Sequence, residues 1–253
     1  MRIFITGASS GIGAEMAKIF AARGDTLGLV GRSEEKLAAV KAQLAGTGHE
    51  TYAIDVTDRE AVYAAARDFE SKGAVDTVIA NAGISIGVKT EYAEDIDVLE
   101  RVYRTNVFAM AYTFQPFIEP MRRRGRGQFV GTGSVAGIRG LPGSEAYCSS
   151  TAAVISYLES LRNDVRKYGI DVTTISPGFV RTPLTAKNPY KMPFILNADE
   201  FARRAVKAID ARVSYRTIPW QMGIVAKLLR MLPNGVFDRA VAGRGEKPRA
   251  GEL

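Results

Sequence analysis

Thr6-Gly-Ala-Ser-Ser-Gly-Ile-Gly13 follows a strand-like run, Arg2–Thr6, and precedes a helical pattern over Ala14–Arg23. The three glycines have separate uses in such a place. Gly7 lets the chain turn tightly off the strand, Gly11 lets backbone approach a pyrophosphate, and Gly13 lets the helix pack on the strand. A helix that starts directly after this turn offers unpaired amides and the positive end of its dipole to phosphate. A glycine pattern alone is weak, because glycine punctuates many loops. Its strand–turn–helix setting is what gives it weight, and the expectation is a dinucleotide-binding unit.

Beyond this turn the chain alternates apolar strand-like runs with amphipathic helical stretches. Strands are expected at Arg2–Thr6, Thr26–Gly31, Thr51–Val56, Thr77–Ala80, Gln128–Thr132 and Asp171–Ser176, with a short seventh near Val213–Ile218. A helix should open at Ser33 with Glu34 and Glu35 in its first turn, where carboxylates suit the dipole. Thr57-x-x-Glu60 forms a capping box for another. Longer helices are expected over Leu99–Arg123 and Ala146–Tyr168, and one more after Asn197 or Asp199. Such alternation predicts an α/β fold, a Rossmann-type doubly wound parallel sheet in three layers. No repeat or linker divides the chain, so residues 1–253 are expected as one domain with 212–253 as an extension packed on it.

With 253 residues, 46% of them apolar and 24% charged, the chain has the composition of a soluble globular protein. Its longest apolar stretches, such as Val78–Ile86, fall short of the roughly 20 residues a bilayer span needs. Met1 leads straight into the first strand, so no signal peptide is expected. One cysteine, Cys148, excludes an internal disulfide, and one histidine, His49, excludes a histidine-based metal cluster. A reducing cytoplasm is the expected location. The net charge of +7 concentrates at Arg122, Arg123, Arg124 and Arg126. These suit the C-terminal end of a helix better than a nucleic-acid patch, since no aromatic residues interleave them.

Further motifs follow the glycine turn in order. Asn81-Ala82-Gly83 ends the fourth strand, and Asn106 stands in Thr105-Asn106-Val107. Ser134 follows the fifth strand, and Tyr147 lies thirteen residues later. Pro177-Gly178-Phe179-Val180-Arg181-Thr182 follows the sixth. Together with the T-G-x-x-x-G-x-G spacing, this series resembles the short-chain dehydrogenase/reductase family over roughly Arg2–Ala211. The resemblance implies hydride transfer between a nicotinamide dinucleotide and a carbonyl or alcohol. It implies that Tyr147 is the acid/base, that Ser134 holds the substrate oxygen, and that Asn106 holds a water in a proton relay. A phenol suits this task if its pKa of about 10 is brought down. The cofactor would lie on Gly7, Ser9, Ser10, Gly11, Ile12 and Gly13, then on Asp55 and Val56 beside the adenine. Asn81, Ala82, Gly83, Tyr147, Pro177, Gly178, Val180 and Thr182 would hold the rest. A homodimer or homotetramer is also implied.

One position departs from the family pattern. The motif Y-x-x-x-K reads Tyr147-Cys-Ser-Ser-Thr151 here. In that family the lysine lowers the tyrosine pKa and bonds the nicotinamide ribose. A unit charge about 4 Å away is worth on the order of 4 kcal/mol at an effective dielectric of 20, enough to lower a pKa by up to about 3. Threonine is neutral and too short to replace it, and Val154, Ile155 and Leu158 on that face are apolar. An introduced substitution, decay into a dinucleotide-binding or scaffold protein, or a relay completed by another group would each explain it. Lys187 and Lys191 belong to a loop that could fold over the site. An oxidoreductase impaired at Thr151 is the expected reading.

Cofactor choice is read after the second strand, where an acidic residue would hold the ribose hydroxyls of NAD. Here Gly31 is followed by Arg32, whose guanidinium suits a 2′-phosphate, so NADP is expected. The segment Pro189–Leu196 lies where the family carries a lid, and its apolar content suits an apolar carbonyl substrate. Ile218–Leu232 is apolar with Lys227 and Arg230 among its residues. Packing on its own domain is the expectation. A cover over the substrate cleft, a subunit interface, or a place on a membrane surface are the alternatives.

Overall fold

The computed structural model describes residues 1–186, 188–243 and 245–252. In chain order its elements are β1 (Arg2–Thr6), α1 (Gly11–Ala22), β2 (Thr26–Gly31), α2 (Glu34–Lys41), β3 (Glu50–Ala53), α3 (Arg59–Ser71), β4 (Thr77–Ala80), α4 (Asp95–Tyr103), α5 (Ala109–Arg124) and β5 (Gly127–Thr132). There follow α6 (Glu145–Val165), β6 (Ile170–Pro177), β7 (Val180–Arg181), β8 (Leu196–Asn197), α7 (Ala198–Asp210), β9 (Tyr215–Ile218), α8 (Trp220–Met231) and α9 (Asn234–Val241). Seven strands form one sheet in the order β3-β2-β1-β4-β5-β6-β9, and every neighbouring pair is parallel. Parallel neighbours need crossovers, and the crossing helices cover both faces. This is the expected three-layer Rossmann-type fold.

The side-chain period of two along β1 divides the core. Ile3 and Ile5 face α1 and α7, packing with Leu27, Leu29, Phe20 and Phe201. Phe4 faces the other way and packs among Phe69, Phe114, Phe117 and Phe129. The chain leaves β1 through α1 to β2 on one side, and returns through α3 to β4 on the other. A crevice therefore opens beyond the carboxyl ends of β1 and β4, where the winding reverses.

The structure differs from the expected boundaries in places that have local causes. The capping box expected at Thr57 does not form. Asp58 caps α3 by accepting the Ala61 amide at 3.0 Å, while Thr57 turns to Asp55. The long helix expected over Leu99–Arg123 is broken by a π-turn at Arg104–Phe108, and this turn carries Asn106. Such single π-turns accommodate an extra residue within a helix and recur at functional sites. The basic run ends α5 before Gly125, whose φ of 66° closes the helix in the left-handed region. There Arg124 donates to the Val75 carbonyl at 2.6 Å and pairs with Glu70, and Arg122 stacks on Tyr168. Among the described residues no helix is long and apolar enough to cross a membrane.

Phe4 has ring centroids of Phe117, Phe69 and Tyr52 at 5.2, 5.8 and 6.0 Å. Phe4→Ala should therefore lower stability by about 3–5 kcal/mol, the usual cost of emptying a packed aromatic site. A lower urea midpoint with an unchanged slope would show it.

Candidate active site

Backbone meets backbone at the turn from β1 to α1. Gly7 and Gly11 have φ of +67° and +57°, which side chains rarely tolerate. A Cβ on Gly13 would stand 2.3 Å from the Gly7 carbonyl oxygen. A Cβ on Gly7 would stand 2.8 Å from the Ala82 Cα. The Asn81 amide group donates to the carbonyls of Thr6 and Gly7 at 3.4 and 3.3 Å, and the Thr6 hydroxyl accepts from the Asn81 and Ala82 amides at 3.1 and 3.3 Å. This sews the glycine turn to the end of β4. Ser10 caps α1 in an extended conformation with no side-chain bond, and no acid occupies the first turn. The leading amides of α1 are thus available to an anion.

A cleft of about 730 Å³ opens here. Its walls include Gly7, Ser9, Ser10, Gly11 and Ile12 from the turn, Arg32, Asp55 and Val56 after β2 and β3, and Asn81, Ala82 and Gly83 after β4. Asn106, Tyr147, Pro177, Gly178, Val180 and Thr182 complete it. Gly13 does not line it, since it is buried beneath in the contact with Gly7. Arg32 is exposed and has no hydrogen-bond or ion-pair partner among the described residues. Asp55 accepts from the Thr57 amide and hydroxyl, both at 2.8 Å. A cradle that side chains would fill, open helix amides and the unpaired guanidinium of Arg32 fit an extended dinucleotide.

A second, smaller cavity of about 170 Å³ adjoins the first. Tyr147, Gly178 and Thr185 line both. Ser134 belongs to the smaller one, with Met222, Val225, Ala226 and Leu229 of α8 forming an apolar wall. The extension after β9 thus covers this cavity with one face of α8. The other face leaves Trp220, Ile224, Leu228 and Met231 exposed.

Tyr147 stands in the first turn of α6, and Ser134 leaves β5 into a short 3₁₀ turn, Val135–Gly137. The Ser134 hydroxyl accepts the Ala136 amide at 3.1 Å and lies beside the phenol. Burial pushes the Tyr147 pKa up, and the neighbouring Ser134 hydroxyl pulls against that rise. Asn106 is clamped: its amide group donates to the Ile84 carbonyl at 3.0 Å and the Ser150 hydroxyl at 3.1 Å, and its oxygen accepts from the Ile84 amide at 2.9 Å. Thr151 is buried, and its hydroxyl donates back to the Tyr147 carbonyl at 2.7 Å. It brings no charge to the phenol. Lys187 lies outside the described residues, and Lys191 is exposed. The residue that sequence reasoning missed is Lys247. It lines the smaller cavity with its Nζ 5.4 Å from the Tyr147 ring centroid, and no local pattern in Gly245-Glu-Lys-Pro-Arg249 announces this. Among the described residues no group of three or more His, Cys, Asp or Glu could hold a metal ion.

Comparison with known proteins agrees with this geometry. A family model described as short chain dehydrogenase matches residues 1–192. An uncharacterized oxidoreductase of Myxococcus xanthus is 38% identical over 242 residues, covering 93% of this chain and 94% of that protein. Dehydrogenase/reductase SDR family member 7B of Bos taurus is 32% identical over 268 residues, covering 98% and 82%. Among solved structures, a short-chain dehydrogenase from Sphingobium yanoikuyae in complex with NADPH superposes with a TM-score of 0.78 at 28% identity, covering 92% of this chain and 96% of that one.

If the glycine contact shapes the cleft, Gly7→Ala should leave the protein folded and weaken nicotinamide dinucleotide binding by tenfold or more, on the order of the 1–3 kcal/mol that a strained left-handed residue costs. Calorimetric titration beside a thermal melt would measure both.

Proposed function

The chain belongs to the short-chain dehydrogenase/reductase family, and on that premise we propose that it transfers hydride between NADP(H) and a small, largely apolar carbonyl or alcohol. The observation that carries this reading is the junction of the two cavities. A phenol and a serine hydroxyl line the same small cavity where a cleft of dinucleotide size meets an apolar pocket. The dinucleotide, when bound, supplies or accepts the hydride.

The protein's own groups do the rest. The leading amides of α1 receive the pyrophosphate, and Arg32, free at the cleft, receives the 2′-phosphate of NADP. The NADPH held by the similar Sphingobium enzyme supports that choice. Ser134 holds the substrate oxygen and stabilises the charge that grows on it. Tyr147 donates the proton in reduction. Its pKa is raised by burial, so near neutrality the phenol keeps the proton that reduction consumes. Alcohol oxidation needs the phenolate, so its rate should climb as pH rises. Asn106, bonded to Ile84 and Ser150, keeps the π-turn, the loop after β4 and α6 in register around the pair. The apolar wall from α8 supports a largely apolar substrate. Because Thr151 is neutral and turned back to its own helix, α6 alone leaves Tyr147 a weak acid.

A panel of apolar ketones and aldehydes assayed with NADPH tests the reaction, with Tyr147→Phe beside the parent. The variant should lose 10²–10⁴-fold in turnover at saturating NADPH, the usual span for a positioned acid. Binding of NADPH without reduction of any carbonyl, even in Thr151→Lys, would make the chain a binding protein instead. For the cofactor, Arg32→Ala should weaken NADPH by about 1.5–3 kcal/mol, the worth of a charged hydrogen bond, and leave NADH unchanged. Equal affinity of the parent for both would sink the NADP assignment.

A further inference from the structure

The chain end after α9 returns across the molecule and is pinned on both sides of one residue. Gly87 pairs in parallel with Arg249, and its amide donates to the Pro248 carbonyl at 2.9 Å. This approach tolerates no side chain, since a Cβ on Gly87 would stand 2.2 Å from the Lys247 carbonyl oxygen. Arg249 donates to the buried carboxylate of Asp95 at 2.8 and 3.1 Å and to Glu94 at 2.9 Å. Its guanidinium also lies 3.5 Å from the Tyr92 ring centroid. On the other side Glu246 pairs with Lys89 at 2.6 Å and packs over Gly143. Between these anchors Lys247 points inward. Its Nζ donates to the Ser85 hydroxyl at 2.5 Å and sits over the Tyr147 ring, 5.4 Å from the centroid.

We propose that Lys247 supplies, from the chain's end, the ammonium that acts on Tyr147 and that α6 lacks at Thr151. The proposal rests on Tyr147 being the proton donor. Lys247 has no carboxylate partner among the described residues, so its charge is not spent elsewhere. Arg139, the other described cation lining the pocket, is spent. It donates to the carbonyls of Leu229, Arg230 and Leu232 and to Asn234, and stacks on Phe237. A cation over the face of a phenol ring is attracted to it, and more strongly once the ring carries phenolate charge.

In reduction the carbonyl carbon gains hydride from the reduced nicotinamide dinucleotide. The Tyr147 O–H bond breaks, its proton passes to the carbonyl oxygen, and the bonding pair stays on the phenolate. The Lys247 ammonium holds that charge until a solvent proton restores the phenol. Lys247 is a positioning residue in this scheme, acting through Tyr147. Burial lowers its pKa to about 8, so the ammonium form prevails at neutral pH and is lost just above it. The other titratable or charged groups around it are Tyr147, Cys148, Tyr190 and Arg139, with Glu246 and Lys89 paired beside it. Turnover in reduction should accordingly fall as pH passes about 8.

The test compares the parent with Lys247→Met, Lys247→Arg and the double variant Lys247→Met/Thr151→Lys, in carbonyl reduction against pH. Lys247→Met should lose on the order of 10²-fold in kcat at pH 7, the lower range for acid/base catalysis, and lose the step near pH 8. Its NADPH affinity and melting temperature should stay near the parent's. Lys247→Arg should keep most of the rate and move the step to higher pH, because a guanidinium does not deprotonate there. Thr151→Lys should restore the rate by bringing the ammonium back through α6. Lysine acetylation against pH, read by mass spectrometry, gives a readout without turnover, and Lys247 should titrate near 8. Unchanged kcat and pH profile in Lys247→Met overturn the proposal. So does a parent that binds NADPH and turns over nothing while Thr151→Lys is active. Loss of NADPH binding, or full activity in Tyr147→Phe, would instead overturn the reading of the site on which the proposal rests.

Discussion

The contact between Gly13 and the Gly7 carbonyl is the constraint from which the cleft follows. It lets α1 follow β1 after the short turn Gly7–Ser10, so the first amides of the helix arrive at the carboxyl edge of the sheet. The same contact is shared with β4, because Asn81 bonds the carbonyls of Thr6 and Gly7. One turn thus fixes the helix terminus, the reversal of winding and the bottom of the cleft together. Substituting any of the three groups disturbs the others, since close-packed backbone has nowhere to yield.

At the far end of the cleft the physics is electrostatic. A buried phenol resists ionisation, because burial penalises its charged form. Holding a lysine beside it without a carboxylate is itself unfavourable, as the lowered pKa of Lys247 records. The cost is met by the neighbouring anchors. Arg249 lies against the buried Asp95 and holds that carboxyl below its ordinary pKa range, so the tail is tied down by a pair whose charges complement each other. An energetically favourable bridge at Arg249 keeps an unfavourable ammonium in place at Lys247.

The extension after β9 shows where pattern reasoning stops. Residues 220–231 are apolar nearly all round, so the sequence allowed a cover, an interface or a surface helix. The fold puts Met222, Val225, Ala226 and Leu229 against the small cavity and leaves Trp220, Ile224, Leu228 and Met231 outside. Periodicity could not choose between these two stripes, because both are apolar. The choice belongs to the direction in which β9 delivers the chain.

Much of the rest was legible because it is local. Strands buried on both faces show as continuous apolar runs, the glycine turn shows as spacing, and Ser33 and its two glutamates show as a helix start. The parallel sheet follows from the alternation, and the ordered motifs from Gly7 to Thr182 all come to one cleft except Gly13, which lies beneath it, and Ser134, which lies in the adjoining cavity. The π-turn at Asn106 and the cap at Asp58 were not legible, since each depends on which of several neighbouring donors and acceptors the packing brings closest. Least legible was Lys247. Its sequence neighbours are polar and carry no period, and it is one hundred positions from Tyr147. Sequence alone determined that no cation stands one turn after Tyr147 on its own helix, where Thr151 lies. Only the tertiary structure decided that a cation reaches Tyr147, because the force between charges depends on distance through space, and the Arg249 anchor sets that distance.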